Sequence, residues 1–221
     1  LSLGINKKMD EHLLRFQNKK NVFIDMETFN LCLNFQHNRP WQTAMLKVEN
    51  DKIVDRRDIY VDWWKETNLD ISDDAARITK FNRKKVMSKA IDSSEAFPLM
   101  SEWLDEADHI IGHNILGFDV HLIKEWYTLE SKSWEHLVGK FIDTNCIAKA
   151  YKMQETPSEG EPLIDFQHRM YYKRKKGVKT NQTALGKEFK IDVDYNNLHD
   201  AMNDLELNLQ IWNQLKWRIE I

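Results

Sequence analysis

Apolar and polar positions alternate along this chain with two different periods, and the changes of period divide it into elements. Val22-Phe23-Ile24 is an unbroken apolar run that leads into Asp25 and Glu27, which predicts a strand over about 21–27. Ahead of it, residues 9–17 carry Leu13, Leu14 and Phe16 and predict a short amphipathic helix. Thr43 to Val48 alternates with Ala44, Leu46 and Val48 on one side, Asn50-Asp51 is a turn signal, and Ile53 to Val61 is again extended and β-branched. Together these predict three sequential antiparallel strands.

Beyond them the period lengthens. Trp63 to Lys89 gives no clear element; its acidic and basic clusters read as solvated faces without chemistry. Asp92-Ser93-Ser94 supplies N-caps for a helix carrying Phe97, Met100, Trp103 and Leu104, with Pro98 confined to its first turn. His109 to Gly112 predicts a short buried strand, and from Ile115 the spacing of Phe118, Leu122 and Trp126 is helical. Lys140 to Thr144 predicts another strand, running into a helix over about 144–152. Residues 154–180 are rich in Pro, Gly and Lys and read as a long loop. Thr183 to Phe189 is helical, and a last helix runs from about Leu198 to Trp217 with Leu205, Leu209, Trp212 and Leu215 inward. Three strands followed by helix–strand alternation predict an α/β domain on a mixed sheet.

Composition narrows the class. Of 221 residues, 42% are hydrophobic and 30% charged, enough for one sizeable core. A net charge of -3 gives no global attraction to nucleic acid, so binding of that kind has to rest on a local patch. Cys32 and Cys146 lack metal-site or disulfide-framework spacing and are expected to stay reduced in a cytoplasmic setting. Neither a signal peptide nor an apolar run of about 18 residues is present, so no membrane partner is expected. The chain opens on Leu1 rather than Met, as a tag remnant or the cut edge of a longer protein does.

The candidate chemistry begins at Asp25 and Glu27. On a strand, residues two apart share a face, so both acids project together. Like charges side by side repel, and a divalent metal is the usual resolution. Taken alone, the pair reads as a solvated strand end. Gly112 to Asp119 then places Asp119 in the first turns of a helix just past a strand, over the sheet end where α/β folds bind ligands. His199 and Asp204 open the last helix; five residues apart, about 140° of turn, they can flank one site from one helix. Asp200 is a rival to Asp204. Singly, these are a capping acid, a solvated histidine and a surface acid; it is their combination and order that is specific.

That combination resembles the DEDDh (DnaQ-like) exonucleases, the family of the proofreading subunit of bacterial DNA polymerase III, ribonuclease T and oligoribonuclease. Asp25-Met26-Glu27-Thr28 matches the first motif, His113-Asn114-Ile115-Leu116-Gly117-Phe118-Asp119 the second, and His199-Asp200-Ala201-Met202-Asn203-Asp204 the third. Thr183 to Ile191 resembles the family's approach to the third motif, and Asp143-Thr144 a strand-end pair common there. The resemblance covers most of residues 21–217. Phe29-Asn30 departs from the Thr-Gly that often closes the first motif, and Asp200 stands where the tyrosine subclass would need tyrosine.

The resemblance implies a ribonuclease H-like, mixed five-stranded sheet flanked by helices. It implies one exonuclease domain over 21–221, with residues 1–20 an N-terminal extension and 154–180 a basic excursion. It further implies hydrolysis of single-stranded nucleic acid from a 3′ end to nucleoside 5′-monophosphates with two Mg²⁺ or Mn²⁺ ions. Asp25 would bridge the metals, Glu27 and Asp204 complete one site, Asp119 act mainly through water, and His199 serve as general base. The backbone around Thr28 and Phe29, with Asn114, would meet the terminal nucleotide; the Phe29 ring would either stack on a base or join the core.

In the excursion, cations interleave with Tyr171 and Tyr172 beside Lys173 and Arg174, the composition of a single-strand channel and equally of a solvated loop. DNA is the favoured substrate. The alternatives are an RNA or oligoribonucleotide exonuclease, or a catalytically weak binding module on the same fold. A polymerase or another replication or repair protein is the expected macromolecular partner. The cytoplasm, or a host's cytoplasm for a viral source, is the expected location.

Overall fold

The computed structural model describes residues 14–79, 81–195, 198 and 200–221. Its centre is strand β1, Asn21–Thr28, hydrogen-bonded on both sides. Val22, Phe23 and Ile24 are fully buried, as an uninterrupted apolar run requires when both faces of a strand are covered. β1 pairs antiparallel with β2, Pro40–Glu49, which pairs antiparallel with β3, Lys52–Asp62. Asn50 and Asp51 make the connecting turn with φ of 48° and 65°. A two-residue hairpin of type I′ needs positive φ at both positions, and Asn and Asp tolerate it better than most residues.

On its other side β1 runs parallel to β5, His109–Gly112, and β5 parallel to β6, Phe141–Asp143. The strand order is β4-β3-β2-β1-β5-β6. The sheet therefore has six strands where five were expected. The extra one, β4 at Ile91–Asp92, is two residues long, too short to show a period in the sequence.

The Trp63–Lys89 stretch holds two short helices, α1 at Asp73–Thr79 and α2 at Arg83–Met87. It is anchored by Trp63, which is fully buried and donates from Nε1 to the Pro40 carbonyl at 2.6 Å. Helix α3, Ser93–Glu106, follows β4. Pro98 sits at its sixth position, one turn deeper than expected, and there forgoes the bond an N–H would make to the Ser94 carbonyl. Asp92 stands at the N-cap, but its carboxylate takes Lys65 Nζ at 2.5 Å rather than a helix N–H.

A single 3₁₀ turn, Ile115–Gly117, introduces α4, Asp119–Leu129. Helix α5, Thr144–Met153, is capped by Asp143. The expected loop over 154–180 contains a helix, α6 at Leu163–Tyr172. Phe166, Gln167 and Met170 are buried along one side of it, a stripe hidden in the sequence by Pro157, Gly160 and Pro162 just ahead. Gln167 closes the edge of the sheet, accepting from the Asp143 N–H at 2.6 Å and donating to the Phe141 carbonyl at 3.0 Å. Helix α7, Gln182–Glu188, the long α8, Ala201–Leu215, and a second 3₁₀ segment at Glu135–Lys140, ahead of β6, complete the described elements. The side chains expected inward on α8, Leu205, Leu209, Trp212 and Leu215, are buried.

Of the helix expected over 9–17, residues 9–13 lie outside the described residues and 14–17 are not helical. Leu14 is buried all the same, and Phe16 stacks on His109 with ring centroids 3.6 Å apart.

Candidate active site

The end of β1 carries the site. Within an otherwise buried strand, Asp25 and Glu27 are the two partly exposed positions, on the same face. Their partners on β2 are Ala44 and Gln42, and the register slips between Glu27 and Thr28. Such a slip bends the strand end and re-aims its side chains. Close approach is also built in at Gly112, where a Cβ would meet Ile115 Cβ at 2.8 Å and the Ile24 carbonyl at 3.1 Å. Any side chain there would force β5 away from β1.

Asp204, in the first turn of α8, joins the pair: one oxygen each from Asp25, Glu27 and Asp204 lie within 4.8 Å of one another. Asp200, the rival, has a different post. It is the N-cap of α8, accepting from the N–H groups of Met202 and Asn203 at 3.2 and 3.4 Å. His199 lies outside the described residues.

Asp119 is the first residue of α4 and only 4% exposed. Burial pushes its carboxyl up to about 7, and the backbone N–H groups of Asp119 and Met26 hold it from rising further. Glu27 is pushed up to about 8, by burial first and then by repulsion from Asp204, Asp119 and Asp200. Asp25 is raised well above the usual carboxylate range by burial, then by Asp119, Glu27 and Asp204. All three shifts have one physical origin, negative charge packed where water cannot screen it. A divalent cation would reverse it, and carboxylate oxygens are the donors that hard cations prefer. The residues present fit such an ion.

Asp143 organises the second motif. Fully buried at the end of β6, its carboxylate accepts from the backbone N–H groups of Asn114, Leu116, Asn145 and Cys146, at 2.9, 3.2, 2.9 and 3.3 Å. One side chain thus caps α5 and holds the turn that aims α4 and Asp119. The sequence offered Asp143-Thr144 as a strand-end pair but gave no sign of this load. Asn114 takes a left-handed φ of 64°, and its neighbour His113 meets Thr144 Oγ1 at 2.9 Å. Burial lowers the His113 ring to about 4, so it is a neutral structural group.

The expected substrate contacts have diverse surroundings. Phe29 is fully buried against Trp64, edge to face with centroids 5.0 Å apart, so its ring belongs to the core. Its N–H is spent on the Arg39 carbonyl, and its own carbonyl accepts from Ser72. Thr28 is buried and donates from Oγ1 to the Asn30 carbonyl at 2.6 Å. Tyr171 and Tyr172 end α6 with centroids 5.1 Å apart, and Tyr172 is 75% exposed. Lys173 is ion-paired with Glu155 at 2.6 Å, and the Arg174 guanidinium folds back on the Tyr171 and Lys173 carbonyls.

A mixed sheet of this order, with acids converging from the end of the central strand and from the starts of two helices, defines a ribonuclease H-like nuclease. The family model described as Exonuclease (RNase_T) matches residues 22–212, and the chain belongs to that family, the DEDDh 3′–5′ exonucleases. No curated protein sequence matches it.

Among solved structures, E. coli Exonuclease I in complex with a dA16 oligonucleotide is similar with a TM-score of 0.69 and 17% identity, over 90% of this chain and 41% of that one. The Exonuclease I of Methylocaldum szegediense gives a TM-score of 0.64 at 14% identity, over 87% and 39%. An ExoI/SSB-Ct complex gives 0.65 at 16%, over 91% and 42%. The chain thus spans about two fifths of the length of the structures it matches.

Proposed function

We propose that the chain hydrolyses single-stranded DNA from its 3′ end to nucleoside 5′-monophosphates, with two divalent cations, Mg²⁺ or Mn²⁺, and that residues 21–221 act as one exonuclease unit behind an extension at 1–20. The observation that carries this reading is the convergence of Asp25, Glu27 and Asp204, half-buried and mutually repelling, in a member of the exonuclease family. When bound, divalent cations supply Lewis acidity at the phosphate and make the attacking water more acidic.

The chain's own residues supply the rest. Asp25, Glu27 and Asp204 hold the cations, and Asp119 supports them from the N-terminus of α4. His199 accepts the proton of the attacking water, a task suited to an imidazole titrating near neutral pH. Thr28 and Asn114 orient the terminal nucleotide, and Phe29, whose N–H and carbonyl are both engaged within the chain, backs them from the core. Tyr171, Tyr172, Lys173 and Arg174 meet the strand further from its end.

No described helix is long and apolar enough to cross a membrane. A cytoplasmic enzyme that meets a polymerase or another replication or repair protein fits this reading, and the ExoI/SSB-Ct complex supports a partner of that kind.

The test is incubation with 3′- and 5′-labelled DNA and RNA single strands in Mg²⁺, Mn²⁺ or EDTA. The expected result is metal-dependent release of mononucleotide from the 3′ end, faster on DNA and abolished by Asp25→Ala. Activity that survives EDTA refutes the metal mechanism, and mononucleotide released first from the 5′ end refutes the polarity.

A further inference from the structure

Between α4 and α6 runs an open trough of about 480 Å³, walled mainly by apolar and aromatic side chains such as Val120, Trp134, Phe141 and Tyr171, with His121, Lys124 and His168 also on its lining. Its head adjoins the active site. A Cβ on Gly117, two residues before Asp119, would meet the Tyr171 ring at 2.8 Å and Asn114 Oδ1 at 2.9 Å. From Val120 to Lys124 the trough follows α4 for about 6 Å, room for two bases stacked at about 3.4 Å.

Just past the Tyr171–Tyr172 ridge, where α6 ends, lies a second hollow of basic character. It is lined by Lys149, Lys173, Arg174, Lys175 and Lys176. Lys149 Nζ donates to the Tyr171 carbonyl at 3.0 Å and lies 5.5 Å from the Tyr171 ring centroid, so the basic hollow adjoins the trough at Tyr171. Lys175 and Lys176 are exposed and have no ion-pair partner among the described residues.

We infer that this ridge is a two-sided single-strand guide, in which unpaired bases upstream of the scissile bond lie in the apolar trough and their phosphates lie over the basic hollow. The inference rests on the exonuclease reading. A mainly apolar surface and a basic one meet at Tyr171, which matches a chain that is apolar on one edge and anionic on the other. A duplex turns its bases inward and offers nothing to the trough, so the guide selects single strands. Tyr172, 75% exposed at the crest, is placed to stack on a base.

The test is binding of a labelled single-stranded oligodeoxynucleotide in EDTA, followed by anisotropy across a salt series, alongside the same strand with abasic sites at the second and third positions from the 3′ end. Tyr172→Ala is expected to weaken binding of the normal strand on the order of tenfold, with the salt slope unchanged and abasic-strand affinity unchanged. Tyr172→Phe is expected to keep wild-type affinity. The double variant Lys175→Ala, Lys176→Ala is expected to flatten the salt slope by roughly 1.4 on either strand.

Equal loss from Tyr172→Ala on both strands, or no loss on either, overturns the guide. So does a change of oligomeric state on Tyr172→Ala with DNA affinity intact, which would make the trough a contact between copies. Wild-type protein that binds in this base-dependent way but cleaves nothing in Mn²⁺ sinks the exonuclease reading and leaves the guide standing. Cleavage with binding indifferent to Tyr172 sinks the guide alone.

Discussion

Replacing Glu27 with glutamine should make the metal-free protein more stable while destroying its chemistry. Burial and the neighbouring acids raise the Glu27 carboxyl from its ordinary 4.5 to about 8. The folded state therefore binds the proton more tightly than the unfolded chain does, and folding is favoured by that proton. Below about 4.5 both states are protonated and nothing is lost. As pH rises from there to about 8, stability drains away, and above 8 the full penalty stands. At roughly 1.4 kcal/mol for each tenfold in proton affinity, the ceiling is about 5 kcal/mol.

Asp25, Asp119 and Asp204 share the repulsion and remain in the variant, so relief of about 2 kcal/mol is the working figure. For a chain of this length that corresponds to a Tm higher by roughly 4–8 °C. The assay is thermal unfolding of wild type and Glu27→Gln in EDTA at pH 5, 6.5 and 8, repeated with Mn²⁺. In EDTA the variant should lead at pH 8 and the two should converge at pH 5. With Mn²⁺ the wild type should regain or overtake, because the cation binds the folded state and an amide is a poorer ligand. A variant less stable than wild type in EDTA at pH 8, or a gap that does not change with pH, refutes the electrostatic account.

Asp143→Ala leaves four backbone N–H groups without their acceptor and should cost about 3 kcal/mol or more, seen as a Tm loss of several degrees with activity falling alongside. Phe29→Ala empties a fully buried site and should cost about 3–5 kcal/mol in urea unfolding; a neutral substitution with impaired DNA binding would return the ring to the substrate. Lys173→Ala with Arg174→Ala should weaken binding at moderate salt and leave turnover of saturating substrate intact; a loss of the chemical step would contradict that. His199→Ala should lower kcat while calorimetry still detects metal binding, and lost metal binding would make it a ligand.

The acids of the site were legible in the sequence because their chemistry is local. Asp25 and Glu27 are two apart on a strand, and Asp119 and Asp204 each sit within a turn of a helix start, so spacing brings them to one end of the sheet, although Asp143 holds the turn that aims Asp119 and gives no sign of it in the sequence. The hairpin was legible for the same reason, since Asn50-Asp51 dictates its own turn. What escaped was fixed by distant partners. Helix α6 owes its place to Gln167 meeting β6, some two dozen residues away, and its turn-rich approach reads as loop. Helices α1 and α2 dock through Trp63 and through the Ser72 N–H on the Phe29 carbonyl, neither of which has a periodic signature. The Phe29 ring was undecidable for the same reason, because its partner Trp64 lies on that stretch.

Gln167 has a further consequence. By accepting the last N–H of β6 and donating to a carbonyl two residues earlier, its side-chain amide behaves as a single residue of a seventh strand. An exposed strand edge invites pairing with another chain, and this one is filled. The same two bonds fix helix α6 in register with the sheet that carries Asp25, so Tyr171 and Tyr172 cannot slide without unpairing β6. On the proposed guide, those two bonds would also set how many bases separate the tyrosine crest from the point of cleavage.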